Sequence, residues 1–179
     1  LGTASIDTSM QVDTASDGSI YITGYTNGAL EGQTNAGNRD GFLSKYSSDG
    51  TKAWTKLLGT SSNDVGQGVA IASDGSIYIT GYTNGALDGQ TNAGSYDSFL
   101  TKYSSDGTKA WTKLLGTSNL ENGKGVATAS DDGSVFITGY TQGALDGQTN
   151  AGGNDIYVSK YSSDAVSYTH LTLPTKVTV

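Results

Sequence analysis

The chain has 179 residues, of which 26 are Gly, and it contains one Pro, one His and no Cys. Hydrophobic residues make up 35% and charged residues 15%, which excludes a charged disordered tail, while the lack of Cys excludes a disulfide scaffold. The formal net charge of -7 repels phosphate backbones, so nucleic acid is not expected as a partner. No apolar run is long enough to predict a membrane span in this sequence.

Internal repetition organises the sequence. Residues 14–60 align with residues 71–117 at a constant offset of 57, and only six of the 47 aligned positions differ, at residues 14, 31, 38, 39, 41 and 44. A third copy follows from Leu115, takes one extra residue at positions 131–132 and stops after Asp164. This period predicts that the chain stacks several copies of one structural unit.

Within the second copy the predicted elements are four short strands. The first two flank Asp74-Gly75, a pair that supplies the positive φ of a tight hairpin turn, and a second such pair at Asp106-Gly107 separates the last two. A loop rich in Gly, Asn and Gln separates the second strand from the third. Gly interrupts every stretch of sequence long enough to form a helix. The predicted strands are residues 68–72, 77–82, 97–103 and 108–115.

Four antiparallel strands with apolar side chains on both faces are typical of a β-propeller blade, which is sandwiched between its neighbours. The predicted fold class is therefore all-β, a β-propeller fragment of about three four-stranded blades. We expect residues 1–9 to end a preceding repeat, followed by blade 1 (10–60), blade 2 (61–117) and blade 3 (118–164, without its fourth strand). Because propellers close with about four to eight blades, two blade faces stay open and self-association is expected.

Three motifs carry a family resemblance: Gly-Ser-Ile-Tyr-Ile-Thr-Gly-Tyr-Thr, Asn-Ala-Gly-Ser-Tyr-Asp-Ser-Phe-Leu-Thr-Lys-Tyr and Asp-Gly-Thr-Lys-Ala-Trp-Thr-Lys-Leu-Leu-Gly-Thr. With their spacing, residues 1–164 resemble the bacterial β-propeller repeat family called SBBP. The resemblance implies a secreted or cell-surface bacterial protein, usually without an assigned enzymatic activity. It implies no catalytic residues.

Residues 165–179 have no counterpart in the earlier copies and hold the only His and the only Pro. Residues 166–175 resemble a translated transposase sequencing adaptor, so we interpret 165–179 as a non-native tail and expect the chain to be a fragment. Residues 166–173 nevertheless alternate β-branched, aromatic and polar side chains. They are expected to form a substitute edge strand beside residues 156–161, ending at Pro174.

In a blade of this topology the Asp-Gly turns lie at one end, and the long loops 27–39, 84–96 and 142–154 lie at the other, which we call the long-loop end. A ring of loop carboxylates there could hold cations or sugar hydroxyls. The favoured alternative is that Asn, Gln and Thr satisfy loop backbone groups while Leu30, Leu87 and Leu145 fill the blade edge. The candidate ligand-binding residues are Glu31, Asn35, Asp88, Gln90, Asn92, Tyr96, Asp146 and Asn150.

Aromatic residues allow two interpretations. Tyr25, Tyr82 and Tyr140 end the second strand of each copy, where a ring could stack on a sugar, although packing between blades is favoured. Trp54 and Trp111 are expected to be packing anchors. A nucleophilic triad is not expected, because the only His lies in the tail.

The sequence favours a non-enzymatic extracellular or cell-surface module for binding or scaffolding, whose partner is an unknown protein or glycan. One alternative is a lectin-like propeller that binds carbohydrate. A second is a fragment of a propeller glycosidase or lyase, which would need two carboxyl groups facing each other across about 5–10 Å. No catalytic residue, metal ligand or cofactor is predicted, calcium excepted.

Calcium is a candidate ligand of the long-loop end, where Asp64, Asp88, Asp97, Asp146 and Asp155 are predicted to lie. Millimolar calcium is expected to raise the melting temperature of a complete propeller through loop coordination or charge screening. Thermal unfolding in matched calcium and magnesium concentrations checks this. A rise with calcium no larger than that with magnesium excludes specific coordination.

Overall fold

The computed structural model describes residues 1–165 with their side chains and residues 167–172 as backbone. The described residues form three four-stranded sheets and no α-helix. The first sheet comprises β1 (Asp7–Thr14), β2 (Ile20–Thr26), β3 (Asp40–Tyr46) and β4 (Lys52–Leu58). The second comprises β5 (Asp64–Ile71), β6 (Ile77–Thr83), β7 (Asp97–Tyr103) and β8 (Lys109–Leu115). The third comprises β9 (Glu121–Thr128), β10 (Val135–Thr141), β11 (Asp155–Tyr161) and β12 (Ser167–Thr172).

Each sheet is an antiparallel meander in which consecutive strands are neighbours. The predicted all-β fold of repeated four-stranded blades is confirmed, and we call the sheets blades 1, 2 and 3. The Asp-Gly turns form as expected: in the first, the Ser19 N–H donates to Asp17 Oδ1 at 2.8 Å and Gly18 has a φ of 80°. Alternate connections therefore lie at opposite ends of every blade.

The first strands β1, β5 and β9 lie side by side on the inner edge of the array, because β5 contacts both β1 and β9. Short parallel bridges link the start of the third strand of one blade to the first strand of the next, at Arg39–Asn63 and Tyr96–Leu120. The backbone N–H of Asp64 donates to the Arg39 carbonyl at 2.8 Å, which fixes blade 2 against blade 1. The fourth strands form the outer edge.

Apolar packing between blades forms two cores. Each blade has a forward face, towards the next blade, and a backward face, towards the preceding one. On blade 2 the backward face presents Val69, Ile77, Ile79, Phe99 and Tyr103 to Tyr21, Leu43 and Trp54 of blade 1. Its forward face presents Tyr78, Leu100 and Trp111 to Ile137 and Tyr157 of blade 3. A middle blade is therefore buried on both sides, as the apolar pattern predicts.

A close backbone approach explains one repeated glycine. A Cβ on Gly81 would lie 1.8 Å from the Val65 carbonyl oxygen, at the point where the β5–β6 pairing shifts register between Gly66 and Gly68. The bulge lets β5 continue back to Asp64, four residues before the predicted strand start at residue 68. β1 likewise begins at Asp7, so the expected start of blade 1 at residue 10 falls inside a strand. The start of β5 was wrong because Gly66 and Gly68 hide the bulged part of the ladder, and the start of blade 1 was wrong because residues 7–9 pair with β2 beyond a register shift between Ser9 and Gln11.

The tail supplies the outer strand of blade 3. β12 pairs antiparallel with β11, placing His170 opposite Ser159, so the predicted substitute edge strand is confirmed over Ser167–Thr172. Residues 166 and 173–179, with the expected limit at Pro174, lie outside the described residues. No helix of the described part is long and apolar enough to cross a membrane.

The blade interface provides a matched pair of core substitutions. Ile79 is fully buried between blades 1 and 2, whereas Ile22, at the same repeat position, is only half-buried on the uncovered face of blade 1. Ile79→Ala is expected to lower the free energy of unfolding by about 2–5 kcal/mol through lost burial and a cavity. Ile22→Ala should cost clearly less in urea unfolding followed by circular dichroism. Equal losses would contradict the face-to-face packing.

Candidate functional site

The long loops fold back onto the outer strands through a short 3₁₀ turn in each blade, at Leu30–Gly32, Leu87–Gly89 and Leu145–Gly147. The Leu is fully buried in all three turns, so its expected role of filling the blade edge is confirmed. The acidic residue that follows adopts a left-handed conformation, with φ of 56°, 51° and 49° for Glu31, Asp88 and Asp146. In blades 1 and 2 this geometry turns the carboxylate towards the outer strand of the blade.

The structure does not bring these candidate carboxylates together. Glu31 forms an ion pair with Lys52 on β4, and Asp88 contacts Lys109 and Thr112 on β8. Each is therefore tied to the outer strand of its own blade. Among the described residues, the contacts of Glu31 and Asp88 lie within single blades and do not join carboxylates of different blades.

The candidate amides hold the loops in shape. Gln90 donates to the Thr112 carbonyl and accepts the Leu114 N–H at 3.2 Å, which ties the loop to β8. At the other end of the loops, Asn35, Asn92 and Asn150 donate to the carbonyls at the ends of β2, β6 and β10, at 3.1, 3.1 and 3.4 Å. These contacts confirm the favoured interpretation that loop amides satisfy backbone groups. They leave the amides poorly placed to serve a ligand at the same time.

A second set of carboxylates, at the strand starts, is buried. Asp64 at the start of β5 accepts the Thr60 N–H at 2.6 Å and the Thr60 hydroxyl at 2.9 Å, which closes the connection between blades. Asp40 and Asp97 at the starts of β3 and β7 accept the N–H groups of Ala36 and Ala93, both at 2.8 Å. Glu121 takes the place of Asp64 in blade 3 and accepts the Thr117 and Thr141 hydroxyls. Sequence analysis did not anticipate this buried structural role.

These buried carboxylates meet in pairs across the blade interface. Burial raises the pKa of Asp40, and the negative charge of Asp64 adds to the rise. Burial likewise raises the pKa of Asp64, although the hydrogen bonds from Thr60 oppose it. Among the described residues, Oδ1 of Asp40, Asp64 and Asp97 has no hydrogen-bond partner. Within the same part of the chain, no group of three or more acidic or His side chains is arranged to hold a metal ion.

An aromatic cluster with a cationic centre lies at the long-loop end and spans blades 1 and 2. We call its members, Tyr25, Arg39, Tyr82 and Tyr96, the Arg39 cluster. The Arg39 guanidinium carbon lies 4.8 Å from the centre of the Tyr25 ring, and Tyr82 and Tyr96 pack edge-to-face at 5.0 Å. Burial raises the pKa of the Tyr82 hydroxyl, while nearby Arg39 opposes the rise. All four side chains are half-buried and so keep surface for contact.

The Arg39 cluster coincides with the variation between repeats. Of the six positions that differ between the first two copies, 38 and 39 come immediately before the third strand, and 39 belongs to the cluster, whereas 41 and 44 lie inside that strand and are buried. The position of Arg39 is occupied by Tyr96 in blade 2 and Asn154 in blade 3. The sequence analysis proposed Tyr96 as a binding residue but not Arg39, although position 39 differs between the repeats. Tyr25 and Tyr82 pack within the cluster, in keeping with the packing role favoured for them, and both are half-buried.

The opposite end of the array carries a cleft of different chemistry. Its volume is about 270 Å³, and it lies where β1, β5 and β9 end. Small and hydroxyl side chains line it, including Thr14, Ser16, Ser73 and Thr128, and none of the described residues that line it is charged. The cleft offers hydroxyl hydrogen bonds without a charge or an aromatic ring. The Arg39 cluster has more of the features of a recognition site.

Three consecutive four-stranded meanders, stacked face to face with their first strands on the inner edge, define a repeat protein built of β-propeller blades. Residues 53–87 match the family of beta-propeller repeats called SBBP. The repeat is therefore of the SBBP type, and the resemblance predicted from its motifs is confirmed.

Curated relatives extend the similarity beyond one repeat. The chain is 30% identical over 168 residues to the regulatory protein FlaEY of Caulobacter vibrioides, a match that covers 84% of this chain and 18% of that protein. It is 26% identical over 141 residues to an uncharacterized WD repeat-containing protein of Acanthamoeba polyphaga mimivirus, covering 69% of this chain and 10% of that protein. The chain thus spans less than a fifth of the length of these two relatives.

The buried Asp40 and the exposed Asp49 are expected to change the stability of the protein with pH in opposite directions. Asp40 has a pKa raised above 3.8 by burial, so its contribution to stability is present below that value and is lost as the pH rises through the folded-state pKa. Asp40→Asn keeps an acceptor for the Ala36 N–H and removes the charge beside Asp64. It is therefore expected to raise the melting temperature at pH 7 relative to wild type, and to do so less at pH 3.5.

Asp49 is the matched control, because it is exposed in a turn. Hydrogen bonds from Ser47 and Thr51 hold its pKa at about 2, so its stabilising contribution is present above 3.8 and is lost as the pH falls through the folded-state value. Asp49→Asn should lower the melting temperature at pH 7, and this effect should fade in acid. The same sign for both variants at pH 7 would contradict the assignment of Asp40 as a buried, unfavourably charged group.

Proposed function

We propose that the chain is part of a non-enzymatic β-propeller module that binds or scaffolds a partner outside the cell or at its surface. A propeller repeat is a rigid scaffold that holds loops in place, which favours a binding role over a catalytic one. The names of the two relatives, a regulatory protein and a WD repeat-containing protein, are in keeping with a role in recognition. The extracellular setting follows from what the SBBP resemblance implies.

The observation that carries this proposal is the place where near-identical repeats differ. Arg39, Tyr96 and Asn154 occupy one structural position at the long-loop end, on strand starts that are otherwise repeated closely. Changing a partly exposed side chain there alters the surface while the core between blades is kept. A recognition surface is the role that best fits such a position.

The chemistry of the acidic side chains supports a role without catalysis. Glu31 and Asp88 are engaged by lysines at the rim, while Asp40, Asp64 and Asp97 close loops from buried positions. A glycosidase needs two carboxyl groups that face each other across an open cleft. The carboxylates with these contacts act within the fold instead.

Carbohydrate is the second candidate, and the Arg39 cluster favours it. An aromatic ring can stack on the apolar face of a sugar, and a guanidinium can donate several hydrogen bonds to hydroxyl or carboxylate groups. The cluster provides both, with Tyr25, Tyr82 and Tyr96 around Arg39. An oligosaccharide with an acidic group is the class that this combination suits best.

An array of neutral and acidic oligosaccharides, probed with the full chain, tests this proposal. Arg39→Ala is expected to reduce binding to acidic oligosaccharides at least tenfold, because it removes the only cation of the Arg39 cluster. Arg39→Tyr, which copies the second repeat at this position, should retain binding to neutral oligosaccharides. Asp88→Asn at the outer rim is the control and should bind as wild type does.

Two results would contradict the assignment. Binding that is lost with Asp88→Asn but kept with Arg39→Ala would move the site to the outer rim. Release of reducing sugar from a bound polysaccharide would show an enzyme in place of a binding module. A chain that binds no oligosaccharide but captures a defined surface protein through Arg39 would support the module and exclude the carbohydrate candidate.

A further inference from the structure

Two pairs of acidic side chains are buried between the blades without a cationic side chain beside them. Asp40 and Asp64 form the pair between blades 1 and 2, and Asp97 and Glu121 form the pair between blades 2 and 3. All four residues are at most 1% exposed. None of them forms an ion pair with a Lys or Arg of the described part of the chain. Two carboxylates enclosed in this way repel each other unless a proton or a cation is bound between them.

The backbone holds the first pair at the connection between blades 1 and 2. The Asp64 N–H donates to the Arg39 carbonyl at 2.8 Å, so the start of β5 lies beside the start of β3. Asp64 Oδ2 accepts the Thr60 N–H at 2.6 Å. The Asp40 carboxylate lies against Gly59, where a Cβ would collide with it. The two acidic side chains therefore meet at the same short segment, Gly59 and Thr60.

The second pair repeats this geometry between blades 2 and 3. The Glu121 N–H donates to the Tyr96 carbonyl at 2.7 Å, and the Glu121 side chain accepts the Thr117 N–H at 2.5 Å. The Asp97 carboxylate lies against Gly116, where a Cβ would again collide with it. Because both interfaces lie within the described residues, this arrangement is a property of the repeat itself.

One oxygen of the first member of each pair has no hydrogen-bond partner. Asp40 Oδ2 accepts the Ala36 N–H and Asp97 Oδ2 accepts the Ala93 N–H, both at 2.8 Å. Oδ1 of Asp40 and of Asp97 is buried and accepts no hydrogen bond from the described residues. A buried acceptor without a partner is unfavourable, and a bound ion is one of the groups that satisfy such an atom. The same free oxygen occurs beside a second carboxylate at both interfaces.

We propose that each of these pairs binds a calcium ion between two blades. Oδ1 of Asp40 and the Asp64 carboxylate hold the ion at the first interface, and Oδ1 of Asp97 and the Glu121 carboxylate hold it at the second. The ion neutralises the two negative charges and links adjacent blades through them. These sites are distinct from the loop carboxylates Glu31, Asp88 and Asp146. The inference does not depend on the carbohydrate candidate or on the Arg39 cluster.

Backbone carbonyls next to the pairs add oxygen atoms of the kind that calcium binds. The Thr60 carbonyl oxygen lies against Gly37, in the turn that Asp40 closes, and the Thr117 carbonyl oxygen lies against Gly94 in the same way. Calcium takes about six to eight oxygen ligands in a flexible geometry, whereas magnesium requires a near-ideal octahedron and usually keeps several waters. A site enclosed between blades and lined by irregularly placed oxygens therefore favours calcium over magnesium.

Calorimetric titration of the metal-free full chain with calcium chloride tests the proposal. Wild type is expected to bind two calcium ions with dissociation constants of about 1 mM or below, the range of extracellular calcium modules. Asp40→Asn keeps an acceptor for the Ala36 N–H and removes one charge, so about one ion should remain. The double variant Asp40→Asn/Asp97→Asn should bind calcium at least tenfold more weakly at both interfaces.

Thermal unfolding gives a second readout that separates the bound ion from a structural effect of the variants. Without calcium, the double variant should melt at or above the temperature of wild type, because it lacks two buried charges. Millimolar calcium should raise the melting temperature of wild type alone, since only wild type binds the ion in its folded state. Calcium is thus expected to reverse the order of the two proteins.

Asp49→Asn is the control, because Asp49 is exposed in a turn at the other end of the blade and should not change calcium binding. Circular dichroism shows that each variant is folded. Wild type that neither binds millimolar calcium nor melts higher in it overturns the proposal and leaves a shared proton or water as the partner of Oδ1. An equal response to magnesium, or calcium binding that persists unchanged in the folded double variant, also overturns it.

Discussion

Face-to-face burial of each sheet by its neighbours is the constraint on which this structure depends. A four-stranded antiparallel sheet with one solvated face would alternate apolar and polar side chains, but these strands bury Ile77 and Ile79 on one side and Tyr78 on the other. Contacts between aromatic rings complete the forward face, as between Tyr78 and Trp111, whose ring centres lie 6.0 Å apart. A blade is therefore stable only as one member of a stack.

This constraint also decides how the polar side chains are used. Connections between tightly stacked blades must be compact, so buried carboxylates such as Asp64 close the loops and amides such as Gln90 clamp them to the outer strand. Many polar side chains of the loops therefore form their hydrogen bonds within the fold. The Arg39 cluster is different because its rings and guanidinium contact one another yet remain half-exposed.

The fold could be predicted from sequence because the 57-residue repeat, the Asp-Gly turns and the apolar side chains on both strand faces can all be read from the residues directly. The start of β5 could not, because the Gly66–Gly68 bulge lets pairing continue through residues with little strand character. Strand order places the long loops together at one end, but it cannot show that Asp88 turns outward to Lys109. Arg39 was missed because its importance arises from contact with Tyr25 and from proximity to Tyr82 on the next blade.

The single position shared by Arg39, Tyr96 and Asn154 has a consequence for how such arrays evolve. Unequal recombination between nearly identical repeat segments of a gene adds, removes or reorders whole blades while every interface stays compatible. Each event carries one of these residues to a new place in the array. Rearrangement of existing blades can thus give new combinations of surface side chains while the packing between blades is kept.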